Sequence, residues 1–214
     1  MKTPIDIETW KRKEHFEFFN SFDDPFFSIV TQVDITQAYE RIKARQASLF
    51  RFYLYCSLKA VNLTDAFKYR ILNGQVYSFD PIHASPTIDR GDETFGLAFM
   101  NYFPDFKTFS KEAGKEINAV KQSKGLRLTE ENKRPDVIHY SVLPWVHFTD
   151  LSHPRNFNAG ESIPKITFGR FKTNEGKVSL PVSIHAHHGL MDGYHAGKFL
   201  DTFQNLLNSA QIYV

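Results

Sequence analysis

The sequence has 214 residues, and its 26 lysines and arginines nearly balance its 24 aspartates and glutamates, which leaves a net charge of +2. A charge so close to zero provides no broad basic field for a phosphate backbone, so nucleic acid is excluded as the expected partner. The single cysteine, Cys56, excludes an internal disulfide, and the length predicts one domain over residues 1–214 with a substantial core.

The N-terminal sequence MKTPIDIETW contains no apolar signal-peptide core. No uncharged apolar run approaches the roughly 20 residues that a membrane span needs. These two features predict a soluble cytoplasmic protein that does not use a membrane as a partner.

The first elements are predicted by apolar periodicity and by chain breakers. A short helix is expected from Glu8 to Asn20, because apolar residues recur among charged ones until Asp23-Asp24-Pro25 interrupts the pattern. The run from Phe26 to Val33 alternates and is rich in β-formers, which predicts a strand. Asp34-Ile35-Thr36 then offers a cap for a polar helix that ends near Arg45.

The middle of the chain predicts a central helix, a hairpin, a strand and a second long helix. Leu49 to Val61 is apolar over helical length, which indicates a buried helix. Phe67 to Phe79 predicts a hairpin, because Asn73-Gly74 accepts the positive φ angles of a tight turn. A strand is expected from Thr94 to Tyr102, followed by an amphipathic helix from about Phe106 to Gln122.

The last third predicts mainly strands, after a charged loop from Lys124 to Pro135. The expected strands are 137–142, 146–148, 165–172 and 177–187. Thr173 to Gly176 predicts a hairpin turn between the last two, and an amphipathic helix from Tyr194 to Leu207 closes the chain. This mixture predicts an α+β domain with a mostly antiparallel or mixed sheet.

The stretch His187–Gly193, HHGLMDG, connects the last strand to the last helix. Because side chains alternate along a strand, His185 and His187 are expected on one face, and His188 on the other face or on the turn. A histidine has the side-chain pKa closest to neutral, which suits a general base on a glycine-flanked turn. Asp192 is either a helix cap or a catalytic partner on this pattern.

Other reaction types fit the sequence less well. A metal site at His185, His187, His188 and Asp192 is disfavoured, because adjacent histidines point apart and the His-x-His pair lacks a clear third ligand. The chain has neither a GxSxG nucleophile elbow nor a glycine-rich phosphate loop. We therefore expect a general base and no metal.

The segment HHGLMDGYHAGKFLDTFQ resembles the active-site segment of the trimeric chloramphenicol acetyltransferases, whose signature is HHxxxDG. Further matches follow the same order: TWKRKEHFEFF, VDIT, AVN, ETF, PWVHFT, ITFGRF and LPVSIHAHH. HHxxxD alone is a weaker signal, because dihydrolipoyl acyltransferases and peptide-synthetase condensation domains resemble it too. We expect a dihydrolipoyl acyltransferase core less, because the sequence shows no lipoyl or linker segment before the domain. The resemblance covers nearly the whole chain. It implies an α/β two-layer sandwich whose helices pack on one side of a mixed sheet.

The resemblance also implies an activity and an assembly. The family transfers acetyl from acetyl-CoA to a hydroxyl of chloramphenicol, as a homotrimer with active sites at the subunit boundaries. His188 matches the general base, and Asp192 matches the residue that pairs with an arginine, here Arg12. The positions that match the acceptor pocket are Phe27, Thr87, Tyr102 and Thr167. Those that match the coenzyme site are Arg170 and Phe171.

Two departures from the family pattern bear on activity. Asp150 stands where the family has a serine whose hydroxyl stabilises the oxyanion. Thr149 or Ser152 supplies the hydroxyl if the strand is shifted, or a protonated Asp150 donates instead. Residues 156–162, NFNAGES, replace the usual apolar wall of the acceptor pocket. The alternative function is therefore an impaired member that binds CoA or an aromatic ligand without efficient turnover.

Overall fold

The computed structural model describes residues 1–155 and 160–210. Within these residues the α-helices are α1 (Lys13–Asn20), α2 (Thr36–Ala44), α3 (Leu49–Asn62), α4 (Phe106–Lys121) and α5 (Gly193–Asn208). The strands are β1 (Lys2–Pro4), β2 (Phe26–Asp34), β3 (Tyr69–Leu72), β4 (Gln75–Phe79), β5 (His83–Asp89), β6 (Phe95–Leu97), β7 (Val137–Leu143), β8 (Lys165–Gly169), β9 (Lys172–Asn174) and β10 (Lys177–His187). None of the helices in these residues is long and apolar enough to cross a bilayer.

Most strands belong to one mixed sheet with the order β2-β10-β8-β7-β5-β6, and β9 pairs with the first part of β10. Strand β7 runs parallel to both β5 and β8, whereas the other neighbours are antiparallel. Helices α2 to α5 pack against one another and against one face of this sheet. The fold is therefore the predicted α+β two-layer sandwich.

The side chains of strand β10 alternate between the hydrophobic core and the face of the sheet that carries the histidines. Its alternate residues Leu180, Val182, Ile184 and Ala186 are buried in the core that α3 and α5 cover. Complete burial of such a side chain contributes roughly 1.5–3 kcal/mol. A slip of one residue would exchange Ile184 for His185 on the core face, so burial fixes the register. The alternation consequently places His185 and His187 together on the opposite face.

A second, three-stranded sheet has the order β1-β4-β3 and contains the predicted hairpin. Asn73 and Gly74 form its turn with φ angles of 52° and 78°, as the sequence indicates. Arg70 on β3 is fully buried in the molecule. Its guanidinium donates to the backbone oxygens of Phe67, Tyr69, Pro135 and Val137 at distances between 2.5 and 2.9 Å. This side chain therefore links the hairpin to the start of β7.

Several predicted elements are confirmed to within a residue or two, namely α2, α3, α4, α5, β2, β7 and β10. A hairpin does precede β10, but the single strand expected over 165–172 is divided into β8 and β9. Others are shorter than predicted. Helix α1 begins at Lys13, because Asp6 accepts a hydrogen bond from the Glu8 amide and holds the preceding residues in turns. The strand expected from Thr94 to Tyr102 is reduced to β6 and one bridge at Met100.

One predicted strand was wrong, and one strand was not predicted. Residues 146–148 are not a strand, because Pro144 starts a turn that the Val146 amide closes on the Leu143 oxygen. Strand β5 was missed, since its sequence HASPTID contains a proline and little apolar alternation. Strand β5 is held by pairing with β6 and β7 on either side, which local sequence does not reveal.

Candidate active site

The turn that follows β10 presents His188 at the end of the sheet. The Leu190 and Met191 amides both donate to the His187 oxygen, at 3.0 and 3.2 Å, which turns the chain sharply. The His188 amide donates to the Pro25 oxygen at 2.7 Å, which attaches the turn to the chain before β2. The backbone of His188 is therefore fixed from both sides.

His187 shapes this turn from within. Its side chain is buried, and Nδ1 accepts a hydrogen bond from the Gly189 amide at 3.2 Å. Burial, reinforced by the charges of Arg155 and His188, lowers the pKa of His187 to about 4, so the ring is neutral. A Cβ on Gly189 would lie 3.1 Å from Cε1 of His187, so this close approach favours glycine. The first histidine is thus structural.

Two aromatic rings hold the imidazole of His188. Phe19 of α1 stacks on it with ring centroids 3.8 Å apart and an interplanar angle of 8°. Phe27 of β2 lies at 4.9 Å and is tilted by 51°. Nδ1 is buried and has no hydrogen-bond partner among residues 1–155 and 160–210. Phe27 was predicted from the sequence, whereas Phe19 was not, because its sequence signal is only its place in a phenylalanine-rich helix.

Arg12 connects the two ends of the HHGLMDG stretch. One guanidinium nitrogen donates to Oδ2 of Asp192 at 2.7 Å, and another donates to the backbone oxygen of His188 at 3.0 Å. This forked donor holds a carboxylate and a carbonyl in one plane, which a lysine cannot do. Burial raises the pKa of Asp192, but the hydrogen bonds and charges of Arg12 and His195 outweigh it and lower the pKa overall.

Asp192 is also the N-cap of α5, so the first of the two alternatives that its sequence position left open, the helix cap, is present. Its Oδ1 accepts from the Tyr194 amide at 3.0 Å and lies 2.8 Å from Nδ1 of His195. His195 was not among the site residues predicted from the sequence. Its signal was the third position after a helix cap, where a polar side chain reaches back to the cap residue.

Of the other residues matched to the acceptor pocket, Thr87 and Thr167 lie on strands of the sheet and Tyr102 lies outside its strands. Thr167 of β8 is paired with Ser141 and Ser183 on the strands beside it, and its hydroxyl lies 2.8 Å from Nε2 of His153. Thr87 of β5 is three strands from β10, about 14 Å across the sheet. The Tyr102 amide donates to Nδ1 of His83 at 3.0 Å. Of this set, the chain places Phe27 against His188.

Thr149 and Asp150 are exposed on the segment that follows β7. Oδ1 of Asp150 accepts from the Leu151 amide at 2.8 Å. The pKa of His185 is lowered, chiefly by burial, and the negative charge of Asp150 opposes this shift. Within one chain, the charge of the Asp150 carboxylate therefore affects the pKa of His185.

The residues matched to the coenzyme site lie at the other end of the sheet from His188. Arg170 is exposed, and its amide donates to the Val146 oxygen at 2.7 Å. Phe171 is 38% exposed and lies 5.5 Å from the ring of Tyr39. Because β8 is antiparallel to β10, Arg170 lies beside the start of β10, about 25 Å along the strand from His188.

The polar stretch 156–162 falls partly outside the described residues, which omit 156–159. Ser162 is buried, and its hydroxyl accepts from the Ile71 amide at 2.9 Å. Glu161 pairs with Lys165 at 2.8 Å. Among the residues that the structure describes, no three histidine, cysteine or acidic side chains are grouped so as to hold a metal ion.

Nearly the whole chain is similar to proteins of one family. A family model described as chloramphenicol acetyltransferase matches residues 1–204. A chloramphenicol acetyltransferase of Bacillus pumilus is 28% identical over 201 residues, which are 94% of this chain and 91% of that protein. A solved structure of a chloramphenicol acetyltransferase superposes with a TM-score of 0.90 at 32% identity, covering 97% of this chain and 100% of that one. A probable dihydrolipoamide acetyltransferase from Listeria monocytogenes, 13% identical with a TM-score of 0.68 over 97% of this chain and 94% of that one, shares the fold.

Proposed function

The chain belongs to the chloramphenicol acetyltransferase family, and on this premise we propose that it transfers an acetyl group from acetyl-CoA to a hydroxyl of chloramphenicol or a related small acceptor. His188 is the general base. Residues 1–214 form one domain in this proposal, and the predicted cytoplasmic location stays a prediction.

The proposal depends on the two hydrogen bonds that the Arg12 guanidinium donates, one to Asp192 and one to the His188 oxygen. It fixes the backbone of His188 while Phe19 and Phe27 fix its ring, which is the preorganisation that a base needs. Because Nδ1 is buried, the nitrogen that accepts the hydroxyl proton is Nε2. The acceptor oxygen attacks the thioester carbonyl, and the tetrahedral intermediate then expels the CoA thiolate, which takes the proton from the imidazolium.

The test is release of free thiol from acetyl-CoA in the presence of chloramphenicol. We expect turnover by the native chain and a loss of roughly 10²- to 10⁴-fold in kcat for His188→Ala, because an alcohol is a weak nucleophile without a base. His15→Ala, which removes an exposed histidine of α1, is the matched control and is expected to retain activity. Equal turnover by His188→Ala would contradict the role given to this base.

We further propose a homotrimer in which each site combines His188 of one chain with pocket residues of its neighbour. The separation of about 25 Å between His188 and Arg170 supports this arrangement, since one chain does not bring the base and the coenzyme residues together. Arg170 then faces a coenzyme phosphate and Phe171 the adenine, while Thr87, Tyr102 and Thr167 face the acceptor. Exposed Phe18, Phe22, Trp145 and Val146 also support an apolar interface.

Sedimentation equilibrium is expected to give three times the 24.8 kDa mass of one chain. If sites are shared, mixed trimers of His188→Ala and Arg170→Glu chains will regain activity that neither variant has alone, because some sites then combine two native halves. Each variant refolded by itself is the control. A monomeric mass, or mixtures no more active than their components, would contradict the shared site.

A further inference from the structure

The carboxylate of Asp192 uses its two oxygens for two different partners. Oδ2 receives the Arg12 guanidinium at 2.7 Å. Oδ1 receives the Tyr194 amide at 3.0 Å and lies 2.8 Å from Nδ1 of His195. The plane of this carboxylate is therefore held from opposite sides, by Arg12 from the N-terminal segment and by His195 from the first turn of α5.

The position of one proton on His195 follows from two competing contacts of Nδ1. This nitrogen lies 2.8 Å from the carboxylate oxygen and 3.3 Å from the Asp192 amide nitrogen. A ring nitrogen either donates or accepts, so the two contacts cannot both be hydrogen bonds. The shorter contact is to an ionised oxygen and is the stronger one. We assign the hydrogen to Nδ1, which donates to Asp192, and the contact with the Asp192 amide is then not a hydrogen bond.

The hydrogen bond from His195 to Asp192 also affects the position of His188. Arg12 holds Asp192 and the His188 oxygen with one rigid guanidinium, so a rotation of the carboxylate also displaces the group that fixes His188. The side chains of Arg12, Asp192 and His195 are 12%, 29% and 23% exposed, so water reaches the acid and the histidine and competes for their hydrogen bonds. Nδ1 of His195 is a second donor to Oδ1, beside the Tyr194 amide, and so helps to keep Oδ2 directed at Arg12.

We propose that His195 is a positioning residue of the acetyl transfer, whose Nδ1–H orients Asp192 and, through Arg12, the turn that carries His188. The inference rests on the proposed function. His195 does not touch the reacting atoms in this scheme, and its effect is on the geometry of the base. Removal of the donor is therefore expected to lower kcat while the affinity for both substrates is preserved.

The kinetic test compares two substitutions. His195→Leu removes the donor and keeps much of the volume, whereas His195→Asn keeps an N–H near the position of Nδ1. We expect kcat to fall about 10-fold in His195→Leu, with both KM values within about twofold, and to be largely restored in His195→Asn. Lys198→Met is the matched control in the next turn of α5, where the lysine is exposed and lies over Tyr194.

The outcomes separate this inference from the function on which it rests. A native chain that releases no thiol refutes the proposed function, whereas a His195→Leu variant with the native kcat refutes only the positioning role. An equal loss in His195→Leu and His195→Asn would also overturn it, because ring volume and not the donor would then matter.

A readout without turnover is the NMR spectrum of chains labelled with ¹⁵N-histidine. We expect a protonated Nδ1 on His195, and a displaced His188 signal in His195→Leu but not in Lys198→Met. If His195→Leu does not fold, an unprotonated Nδ1 in the native chain overturns the proposal.

Discussion

The two adjacent histidines differ in what surrounds each imidazole ring. His187 is buried, its Nδ1 accepts from the Gly189 amide, and its pKa is lowered to about 4 because burial disfavours the charged form. His188 lies one residue farther, on the turn, and stacks on Phe19. One step along a strand exchanges faces, so neighbouring residues of the same type meet different surroundings. This difference supports the assignment of the structural role to His187 and the proposed catalytic role to His188.

We predict that Asp150 lowers the kcat of the acetyl transfer. An ionised carboxylate opposes the charge of a tetrahedral oxyanion, whereas a hydroxyl donates to it. Asp150→Ser is therefore expected to raise kcat by up to about 10²-fold in the thiol-release assay. Asp150→Asn is the matched variant that removes the charge without adding a hydroxyl, so it separates the two effects. An unchanged kcat in Asp150→Ser would show that the aspartate does not suppress turnover.

At the scale of elements, helix α1 and strand β10 come from opposite ends of the chain and meet at the site. Helix α1 supplies the Phe19 ring, and the residue just before it is Arg12. The turn after β10 supplies the imidazole and the carboxylate. The Pro25 oxygen, just before β2, completes the contact by accepting the His188 amide. The site is thus built on the ends of regular elements, whose packing limits how far each side chain can move.

The hairpin of β3 and β4 depends on one buried cation. Arg70 donates to four backbone oxygens, and Arg70→Leu would leave these oxygens buried without their donors. Because each lost buried hydrogen bond costs about 1–3 kcal/mol, we expect the free energy of unfolding to fall by at least about 3 kcal/mol. Urea unfolding measures the change. Arg41→Leu, at an exposed position of α2, is the control, and an equal small effect of both would contradict the prediction.

Partly and fully buried histidines make the stability of the protein depend on pH. The pKa values of His139 and His187 are both lowered from 6.5 to about 4, mainly by burial. The unfolded chain therefore binds more protons than the folded chain between these values, so the free energy of unfolding falls as pH decreases from about 6.5 to 4. A shift of this size corresponds to at most about 3 kcal/mol for each group.

Urea unfolding at a series of pH values and a fixed protein concentration tests this dependence. His139→Gln is expected to reduce the slope of the free energy against pH, because one group no longer takes up a proton on unfolding. His15→Gln, at an exposed position of α1, is the control and should leave the slope unchanged. A slope in His139→Gln equal to that of the native chain would contradict the assignment of this group.

Local sequence patterns were enough to predict the elements whose signals lie among neighbours along the chain. The apolar run of α3, the Asn73-Gly74 turn and the periodicity of α4 and α5 depend on neighbours along the chain, and these elements are confirmed. The HHGLMDG stretch and the motifs around it likewise led to the family.

Features that depend on residues distant in sequence became visible in the folded chain and could not be predicted from local patterns. Strand β5 is held by β6 and β7 and has no strong pattern of its own, whereas 146–148 has a β-like composition but follows a turn and forms no strand. The same holds for the stacking of Phe19 on His188 and for the bond from His195 to Asp192. The physical reason is that burial and hydrogen bonding are set by the partner that folding brings to a residue, and local propensity does not specify that partner.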